Sequence, residues 1–372
     1  MHNVFSVFML IIYAHYCCFN LTKLILFGII LCNKTHLKIL TIRKNAMIYH
    51  FILNPKSGRS RKQSKMEDHI KSACTKRQLN YHIYYTTCAK DATEYVKSMI
   101  SISAERQRFI CLGGDGTINE IVNSAPCNSN VEFGVIPGGS GNDFVRNFSN
   151  HKLFSDIDAQ IDGTAKSLDL IRCNDIYCVN MINIGFDCAV AKKANEIKSK
   201  YKFASPSIAY IIGVIIGFFQ KFGTPMKIIY DNGEVIDREL TLTAIGNGRF
   251  CGGGFMSAPN ATLDDGKMDI CAINKISRLA FIGLVGMYKS GTFLSSKKAM
   301  EFFDYRQGSH FKMEFESPIP ICIDGEISSA QTIDFQVIPN GFNFVLPKGC
   351  EFRFKNKKGH SEKKHLDIKD EE

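Results

Sequence analysis

Three glycines and one aspartate, Gly113, Gly114, Asp115 and Gly116, lie where a strand-like run meets a helix-like run. Because glycine has no Cβ, this loop can turn main-chain N–H groups toward a ligand. The N-terminus of the helix that follows favours phosphate. An aspartate would repel phosphate unless a divalent cation lay between them, so the loop is typical of a metal–nucleotide site. A tight turn without a ligand fits a single loop of this kind equally well.

Two more polar, glycine-bearing loops follow strand-like runs, at 54–58 (NPKSG) and 137–143 (PGGSGND). Strands that alternate with helices form parallel βαβ units, whose carboxyl ends share one edge of a sheet. Three such loops at one edge favour a binding crevice over unrelated turns. The chain has no G-x-x-x-x-G-K-[ST] pattern, which excludes a P-loop enzyme. The spacing of Thr117 and Glu120 predicts a capping box at the helix that follows the first loop.

The pattern of the chain changes near residue 165. Residues 47–165 alternate strand-like and helix-like runs, which predicts an α/β domain with a parallel sheet. Residues 166–354 consist mainly of strand-like runs joined by Asp-Gly and Asn-Gly turns, which predict antiparallel sheets in a β-sandwich. Two apolar helical segments, 206–222 and 276–291, interrupt the second domain. We expect the charged tail, 355–372, to be mobile.

The first 46 residues form an apolar and basic extension. Its apolar run of about 18 residues is marginal for a membrane span, and the basic stretch at 34–44 would keep the rest of the chain cytoplasmic. No positive segment precedes the apolar run, which argues against a secretory signal. The alternatives are a membrane anchor and an upstream start artefact, with the native protein beginning at Met47.

The composition favours an anionic partner. The net charge is +10 and the isoelectric point is about 8.9, values that suit nucleotide phosphates or an acidic membrane surface. The chain carries no signature of sequence readout from nucleic acid, so we expect no nucleic-acid partner. The 14 cysteines include no C-x-x-C pair, and free buried cysteines are the simplest interpretation.

The loop sequences NPKSG, GGDGTINE and GVIPGGSGNDFVRNF, in this order, resemble the diacylglycerol kinase catalytic-domain family. They are most similar to the soluble bacterial lipid kinases of the DgkB/YegS type. The resemblance continues through NIGFDCAVA, SAPNATLDDGKMDI and ICIDGEI, and it covers about residues 47–346. One departure is Ser140, which stands where the family usually has threonine and keeps the hydroxyl group.

The resemblance implies a Rossmann-like N-terminal domain, with helices on both faces of its parallel sheet, and a C-terminal antiparallel β-sandwich. It implies that ATP binds in the crevice between the domains and that the last strand returns to the first domain. By position, the residues expected to hold ATP are Asn54, Pro55, Lys56, Ser57, Gly58, Thr86, Gly113, Gly114, Asp115, Gly116, Thr117, Asn119, Gly139, Ser140, Asn142 and Asp143.

The resemblance also assigns catalytic and metal-binding roles. Asp115 would engage a catalytic Mg²⁺, and Glu326 would act as the general base that removes the proton of a lipid hydroxyl. A second, structural metal site would use Asp265 and the backbone carbonyls of Thr262 and Lys267. From spacing alone, an Asp-Gly hairpin turn explains this last segment equally well.

The implied function is ATP- and Mg²⁺-dependent transfer of the γ-phosphoryl group to a lipid hydroxyl, with diacylglycerol as the leading acceptor. Phosphatidylglycerol, a sphingoid base or an undecaprenol-type alcohol are alternative acceptors. An NAD kinase would explain GGDGT but not GSGNDFVRNF. A silent lipid- or nucleotide-binding module would lack a metal or base position. We expect a cytoplasmic protein, as a monomer or a homodimer, on the inner face of the membrane. Segment 206–222 would pack on the sandwich or face the bilayer.

Overall fold

The computed structural model describes residues 47–55, 60–139, 141–200 and 223–354. Several expectations lie outside the described residues. They concern the extension 1–46, the helical segment 206–222, the tail 355–372 and four of the expected ATP-binding residues, Lys56, Ser57, Gly58 and Ser140.

The first part of the chain forms four strands and four α-helices among the described residues. The strands are β1 (Met47–Leu53), β2 (Asn80–Tyr85), β3 (Arg106–Gly113) and β4 (Val131–Pro137). The helices are α1 (Ser60–Lys76), α2 (Asp91–Ile102), α3 (Asp115–Ser124) and α4 (Ile157–Ile161). Two 3₁₀ turns, Phe144–Asn147 and His151–Ser155, follow β4.

These four strands are parallel, in the order β2-β1-β3-β4. Helices α2 and α3 cover one face, where Val96 and Ile121 pack in a cluster with Phe109. Helices α1 and α4 cover the other face, where Ile70 packs in a cluster with Phe51. Burial on both faces explains why β1, β3 and β4 read as nearly continuous apolar runs.

The second part is rich in antiparallel strands. They are β5 (Thr164–Cys173), β6 (Ile176–Cys178), β7 (Met181–Gly185), β8 (Thr224–Tyr230), β9 (Val235–Gly246), β10 (Met268–Asn274), β11 (Phe303–Gly308), β12 (His310–Ile323) and β13 (Glu326–Leu346). The helices in the described residues are α5 (Phe186–Lys200), α6 (Arg278–Ser290) and α7 (Lys297–Met300).

One long strand joins the two parts into a single hydrogen-bonded sheet. The first half of β13 pairs with β12, and its second half pairs with β5. Asn343 and Phe344 also pair in parallel with β4. A register shift between Ile338 and Phe342 accompanies this change of partners. The two parts therefore share one continuous sheet.

Helix α6 begins and ends at clear local signals. The Ser277 hydroxyl accepts a hydrogen bond from the Ala280 N–H, which caps its N-terminus. Gly291 follows the last residue in the left-handed conformation, with φ 71°, as is common after helices. Among the described residues, no helix is both long enough and apolar enough to cross a membrane.

Candidate active site

The carboxyl ends of the four parallel strands meet at one edge of the sheet. Asn54 and Pro55 follow β1, and Thr86 follows β2, where its N–H donates to the Leu53 carbonyl at 3.0 Å. The Gly138 N–H donates to the Gly113 carbonyl at 2.8 Å, which joins the loops after β3 and β4. The described parts of the three glycine-bearing loops therefore lie side by side.

The loops after β3 and β4 touch through glycine backbones. A Cβ added to Gly139 would lie 2.7 Å from the Gly114 Cα, and one added to Gly114 would lie 3.0 Å from the Gly139 Cα. Asn142 closes its own loop, because its Oδ1 accepts from the Gly139 N–H at 3.0 Å and its Nδ2 donates to the Gly139 carbonyl at 2.9 Å. These two bonds shape the loop after β4, and the expected contact of Asn142 with ATP stays a prediction.

The predicted capping box is wrong. Helix α3 begins at Asp115, two residues before Thr117, and its N-cap Gly114 has no side chain to cap it. Thr117 instead packs on Gly113, where an added Cβ would lie 2.3 Å from the Thr117 Oγ1. Glu120 accepts from the Thr93 N–H of α2 at 3.4 Å. The N–H groups in the first turn of α3 therefore have no side-chain cap, an arrangement suited to an anion.

Two carboxylates lie together above this helix end. The Asp115 carboxylate accepts from the backbone N–H groups of Asp143 (3.1 Å) and Phe144 (2.9 Å). A Cβ on Gly141 would lie 3.1 Å from the Asp115 Oδ2 and 3.3 Å from the Asp143 Oδ2, so both carboxylates border the same point. Burial, and then the negative charge of Asp115, raise the pKa of Asp143 to about 6.

Asp143 also contacts the second part of the chain. Its Oδ2 accepts from the Gly253 N–H at 2.8 Å. The Arg146 Nε lies 3.1 Å from the Asp143 Oδ1, but no donor is aligned for a hydrogen bond to that buried oxygen. Asp143 therefore bonds to the second part of the chain through one carboxylate oxygen and is ion-paired with Arg146 through the other.

Glu326 lies beside the amino-terminal end of α3, at the end of a β-hairpin. Asp324 and Gly325 form the two-residue loop between β12 and β13, with φ values of 47° and 94°. Positive φ at both positions is the property of a type I′ turn, for which Asp-Gly is a favoured sequence. Glu326 is the first residue of β13 and is exposed, and its Oε1 lies 3.6 Å from the position of a Cβ added to Gly116. The hairpin thus brings Glu326 to the first turn of α3.

Asn119 bonds to residues of the second part of the chain. It is buried on α3, where its Nδ2 donates to the Asp324 Oδ2 at 2.7 Å and to the Tyr177 carbonyl at 3.0 Å. These bonds connect α3 to the second part of the chain. No local pattern indicated this connection, because it depends on residues that are far apart in the chain.

Two contributors to the site were missed by sequence reasoning. Asp324 was not singled out among the site residues, although its carboxylate is buried. The turn Gly252–Gly254, all of whose φ values are positive, places the Gly253 N–H on Asp143. Three consecutive glycines between strand-like runs were the signal that could have revealed this turn.

The segment of the expected second metal site forms a closed turn. The Asp265 Oδ2 accepts from the Thr262 hydroxyl at 2.7 Å, and its Oδ1 accepts from the Lys267 N–H at 3.1 Å. The Gly266 N–H donates to the buried Asp169 at 2.7 Å, which docks the turn on β5. Within the described ranges, no group of three or more His, Cys, Asp or Glu side chains is placed to hold a metal ion. The second metal site stays a prediction.

Two family models match consecutive parts of the chain. The diacylglycerol kinase catalytic domain matches residues 49–173. The YegS C-terminal NAD kinase beta sandwich-like domain matches residues 180–346. The two matches thus divide the chain close to the change of pattern near residue 165, and together they include every predicted site residue.

Curated relatives agree with these matches. A Bacillus subtilis protein named "Diacylglycerol kinase" is 28% identical over 303 residues, 80% of this chain and 95% of the relative. A Shewanella frigidimarina protein named "Probable lipid kinase YegS-like" is 30% identical over 251 residues, 65% of this chain and 77% of the relative.

Solved structures share the fold. A crystal structure titled as a diacylglycerol kinase from Bacillus anthracis str. Sterne aligns with a TM-score of 0.59 at 21% identity, over 80% of this chain and 96% of that one. A second structure from the same strain gives a TM-score of 0.63 at 23% identity. The fold and these matches define a two-part kinase with a β-sandwich-like second part. The chain belongs to the diacylglycerol kinase catalytic-domain family, among its YegS-like lipid kinases. It is accordingly an enzyme, a phosphotransferase of the lipid kinase class.

Proposed function

We propose that this protein transfers the γ-phosphoryl group of ATP to a lipid hydroxyl, with Mg²⁺, and that diacylglycerol is the acceptor. The observation that carries the proposal is the proximity of the uncapped N-terminus of α3, the Asp115 and Asp143 carboxylates and Glu326. The name and coverage of the Bacillus subtilis relative support diacylglycerol as the acceptor.

The parallel part of the sheet serves as a Rossmann-like nucleotide-binding unit in this proposal. Its loops after β1, β3 and β4 border the crevice, and the first N–H groups of α3 are the donors for the ATP phosphates. The close contact of Gly114 with Gly139 keeps side chains from filling the space above α3. ATP binding thus depends on backbone donors that these glycines leave accessible.

Asp115 and Asp143 are suited to hold Mg²⁺. Proteins bind this ion through one or two carboxylates together with substrate phosphates and water. Burial and the nearby Asp115 charge raise the pKa of Asp143, and a divalent cation held by both carboxylates would offset their repulsion. The Asp143 Oδ1, which is ion-paired with the Arg146 Nε at 3.1 Å, is the proposed ligand atom. When bound, Mg²⁺ would neutralise negative charge that develops on the transferred phosphoryl group.

Glu326 is the proposed general base. Its carboxylate takes the proton of the acceptor hydroxyl while that oxygen forms a bond to the γ-phosphorus. The bond between the γ-phosphorus and the β–γ bridging oxygen breaks, and ADP leaves with the electron pair of that bond. The exposed position of Glu326, beside Gly116 of α3, lets the carboxylate face both the phosphates and an incoming hydroxyl.

An anionic membrane surface is the proposed partner, and the outer face of α6 is the proposed contact. Leu279 and Ile282 are 82% and 57% exposed there, opposite the buried Phe281 and Leu284. The segment 277–300 contains no carboxylate. It carries four cations, Arg278, Lys289, Lys297 and Lys298. An apolar helix face beside cations is suited to an interface with anionic lipid.

The decisive experiment supplies the purified protein with labelled ATP, Mg²⁺ and a mixed lipid extract, and then identifies the labelled lipid. We expect labelled phosphatidic acid, and labelling slower by about 10²-fold or more when Glu326→Gln replaces the wild type. Label in another phospholipid would replace diacylglycerol as the acceptor. Conversion of NAD to NADP without a labelled lipid would identify an NAD kinase. ATP binding without any transfer would identify a silent binding module.

A further inference from the structure

Asp324 is buried and holds an unusual number of donors. Its φ of 47° lies in the left-handed region, which aspartate tolerates in a type I′ turn. Five groups donate to its carboxylate: the Val179 N–H (2.6 Å), the Asn180 N–H (3.0 Å), the Met181 N–H (2.8 Å), the Asn119 Nδ2 (2.7 Å) and the Cys178 thiol (3.3 Å). Both oxygens are thus fully used.

These bonds join three segments that surround the crevice. Asn119 belongs to α3 and lies about one helical turn after Gly116, the residue that faces Glu326. The backbone donors belong to the connection between β6 and β7. Glu326 follows Asp324 by two residues in the same hairpin. The Asp324 carboxylate therefore sets the separation between the hairpin that carries Glu326 and the first turn of α3.

The turn itself does not require this carboxylate. Asn-Gly is as favourable as Asp-Gly in a type I′ turn, so an asparagine would serve the hairpin equally well. A buried carboxylate instead carries a desolvation cost, and burial raises the pKa of Asp324 while its donors oppose the rise. The arrangement of the donors, not the turn conformation, explains why an acidic residue is needed here.

We propose that Asp324 is a positioning residue, whose carboxylate holds the β12–β13 hairpin on α3 so that Glu326 remains within reach of the acceptor hydroxyl. This inference deepens the proposed function and rests on it, since Asp324 acts only through Glu326. Misplacement of a reacting group by about 1 Å can reduce a rate by about 10²-fold.

The test is a double-mutant cycle on kcat with Asp324→Asn, Glu326→Gln and the double variant. Asp324→Asn preserves the size and the turn preference but places an amide N–H₂ among donors. We expect it to lower kcat by about 10- to 10²-fold, with the ATP Kd changed less than about twofold. In the Glu326→Gln background, it should lower kcat no further. The matched control is Asp175→Asn, an exposed aspartate in the β5–β6 hairpin, which should behave as the wild type.

Two outcomes would overturn the inference. One is an equal loss of kcat from Asp324→Asn in the wild-type and Glu326→Gln backgrounds, which would show that Asp324 acts independently of Glu326. The other is an unchanged kcat in a folded Asp324→Asn protein. If that variant does not fold, Asn119→Ala removes one donor from the same carboxylate and enters the same cycle. If Glu326→Gln alone leaves lipid phosphorylation intact, the proposed function of Glu326 is wrong, and the failure lies there.

Discussion

The contact between Gly114 and Gly139 makes a specific prediction for Gly139→Ala. The added Cβ would lie 2.7 Å from the Gly114 Cα and 3.0 Å from the Asn142 Oδ1. Carbon atoms in contact are about 3.5–4.0 Å apart, so the two loops must separate by about 1 Å. Both loops consist of backbone at this point, and no side-chain rotation can relieve the overlap.

The separation should affect binding more than stability. Overpacking of this kind costs about 1–3 kcal/mol, a loss that a chain of this size can tolerate. Displacing the loop after β4 by about 1 Å moves Asp143 away from its position beside Asp115. It also stretches the hydrogen bonds that the Asp143 and Phe144 N–H groups donate to the Asp115 carboxylate. We therefore expect ATP affinity and kcat to fall together, kcat by about 10²-fold.

Calorimetric ATP titration, steady-state kinetics and thermal unfolding would measure these effects. The matched control is Gly286→Ala on α6, where an added Cβ meets no atom within 4 Å. It should leave ATP binding unchanged and raise stability by about 0.5–1 kcal/mol, as expected for alanine in place of glycine within a helix. Wild-type ATP affinity and turnover in Gly139→Ala would refute the view that this backbone contact shapes the nucleotide site.

Three further predictions concern other regions. Glu326→Gln should lower kcat by about 10²-fold or more at nearly unchanged ATP affinity. Asp115→Asn should lower kcat and also weaken Mg²⁺-dependent ATP binding, as measured by calorimetry. A near-normal kcat for Glu326→Gln would exclude Glu326 as the general base. Burial, and then the charge of His82, lower the pKa of His50 from 6.5 to about 4. As the pH falls, His50 therefore becomes protonated in the unfolded chain at a higher pH than in the folded chain. The free energy of unfolding should drop by up to about 3 kcal/mol across this window. Urea unfolding should show this pH dependence in the wild type and not in His50→Phe. Replacing Leu279 and Ile282 with serine should reduce sedimentation with anionic vesicles by about tenfold, while activity on detergent-dispersed lipid is retained. Vesicle binding equal to that of the wild type would exclude the outer face of α6 as the membrane contact.

Local sequence signals predicted several elements of both parts well. The run MIYHFIL predicted β1 with the observed bounds, Met47–Leu53. The apolar segment 276–291 predicted α6 within two residues at its start. Such elements follow from apolar runs, periodicity and glycine positions, which are properties of neighbouring residues. The juxtaposition of Asp115 and Glu326 entered through the family resemblance rather than through any local pattern.

The capping-box error arose because a residue distant in sequence, and not the helix itself, bonds to Glu120. Thr117 and Glu120 have the spacing of a capping box, but α3 begins earlier and Glu120 bonds to Thr93 of α2. The expected ATP contact of Asn119 stays a prediction, but no spacing within α3 indicated that its amide bonds to Asp324. Both outcomes depend on which elements pack against α3, and that packing is not encoded in the spacing of residues within the helix.

The long strand β13 has a consequence for the synthesis of the protein. Phe342 and Phe344 belong to the same buried cluster as Phe109 and Phe133, and Phe344 stacks on Phe148 with ring centroids 5.4 Å apart. These phenylalanines leave the ribosome long after the parallel strands have been made. Until then, the nascent nucleotide-binding part has an unpaired edge at β4 and an incomplete core, both of which favour aggregation. The core of the amino-terminal part is therefore completed only after β13 has been synthesised. Until β13 leaves the ribosome, the edge of β4 remains open to pairing with another chain.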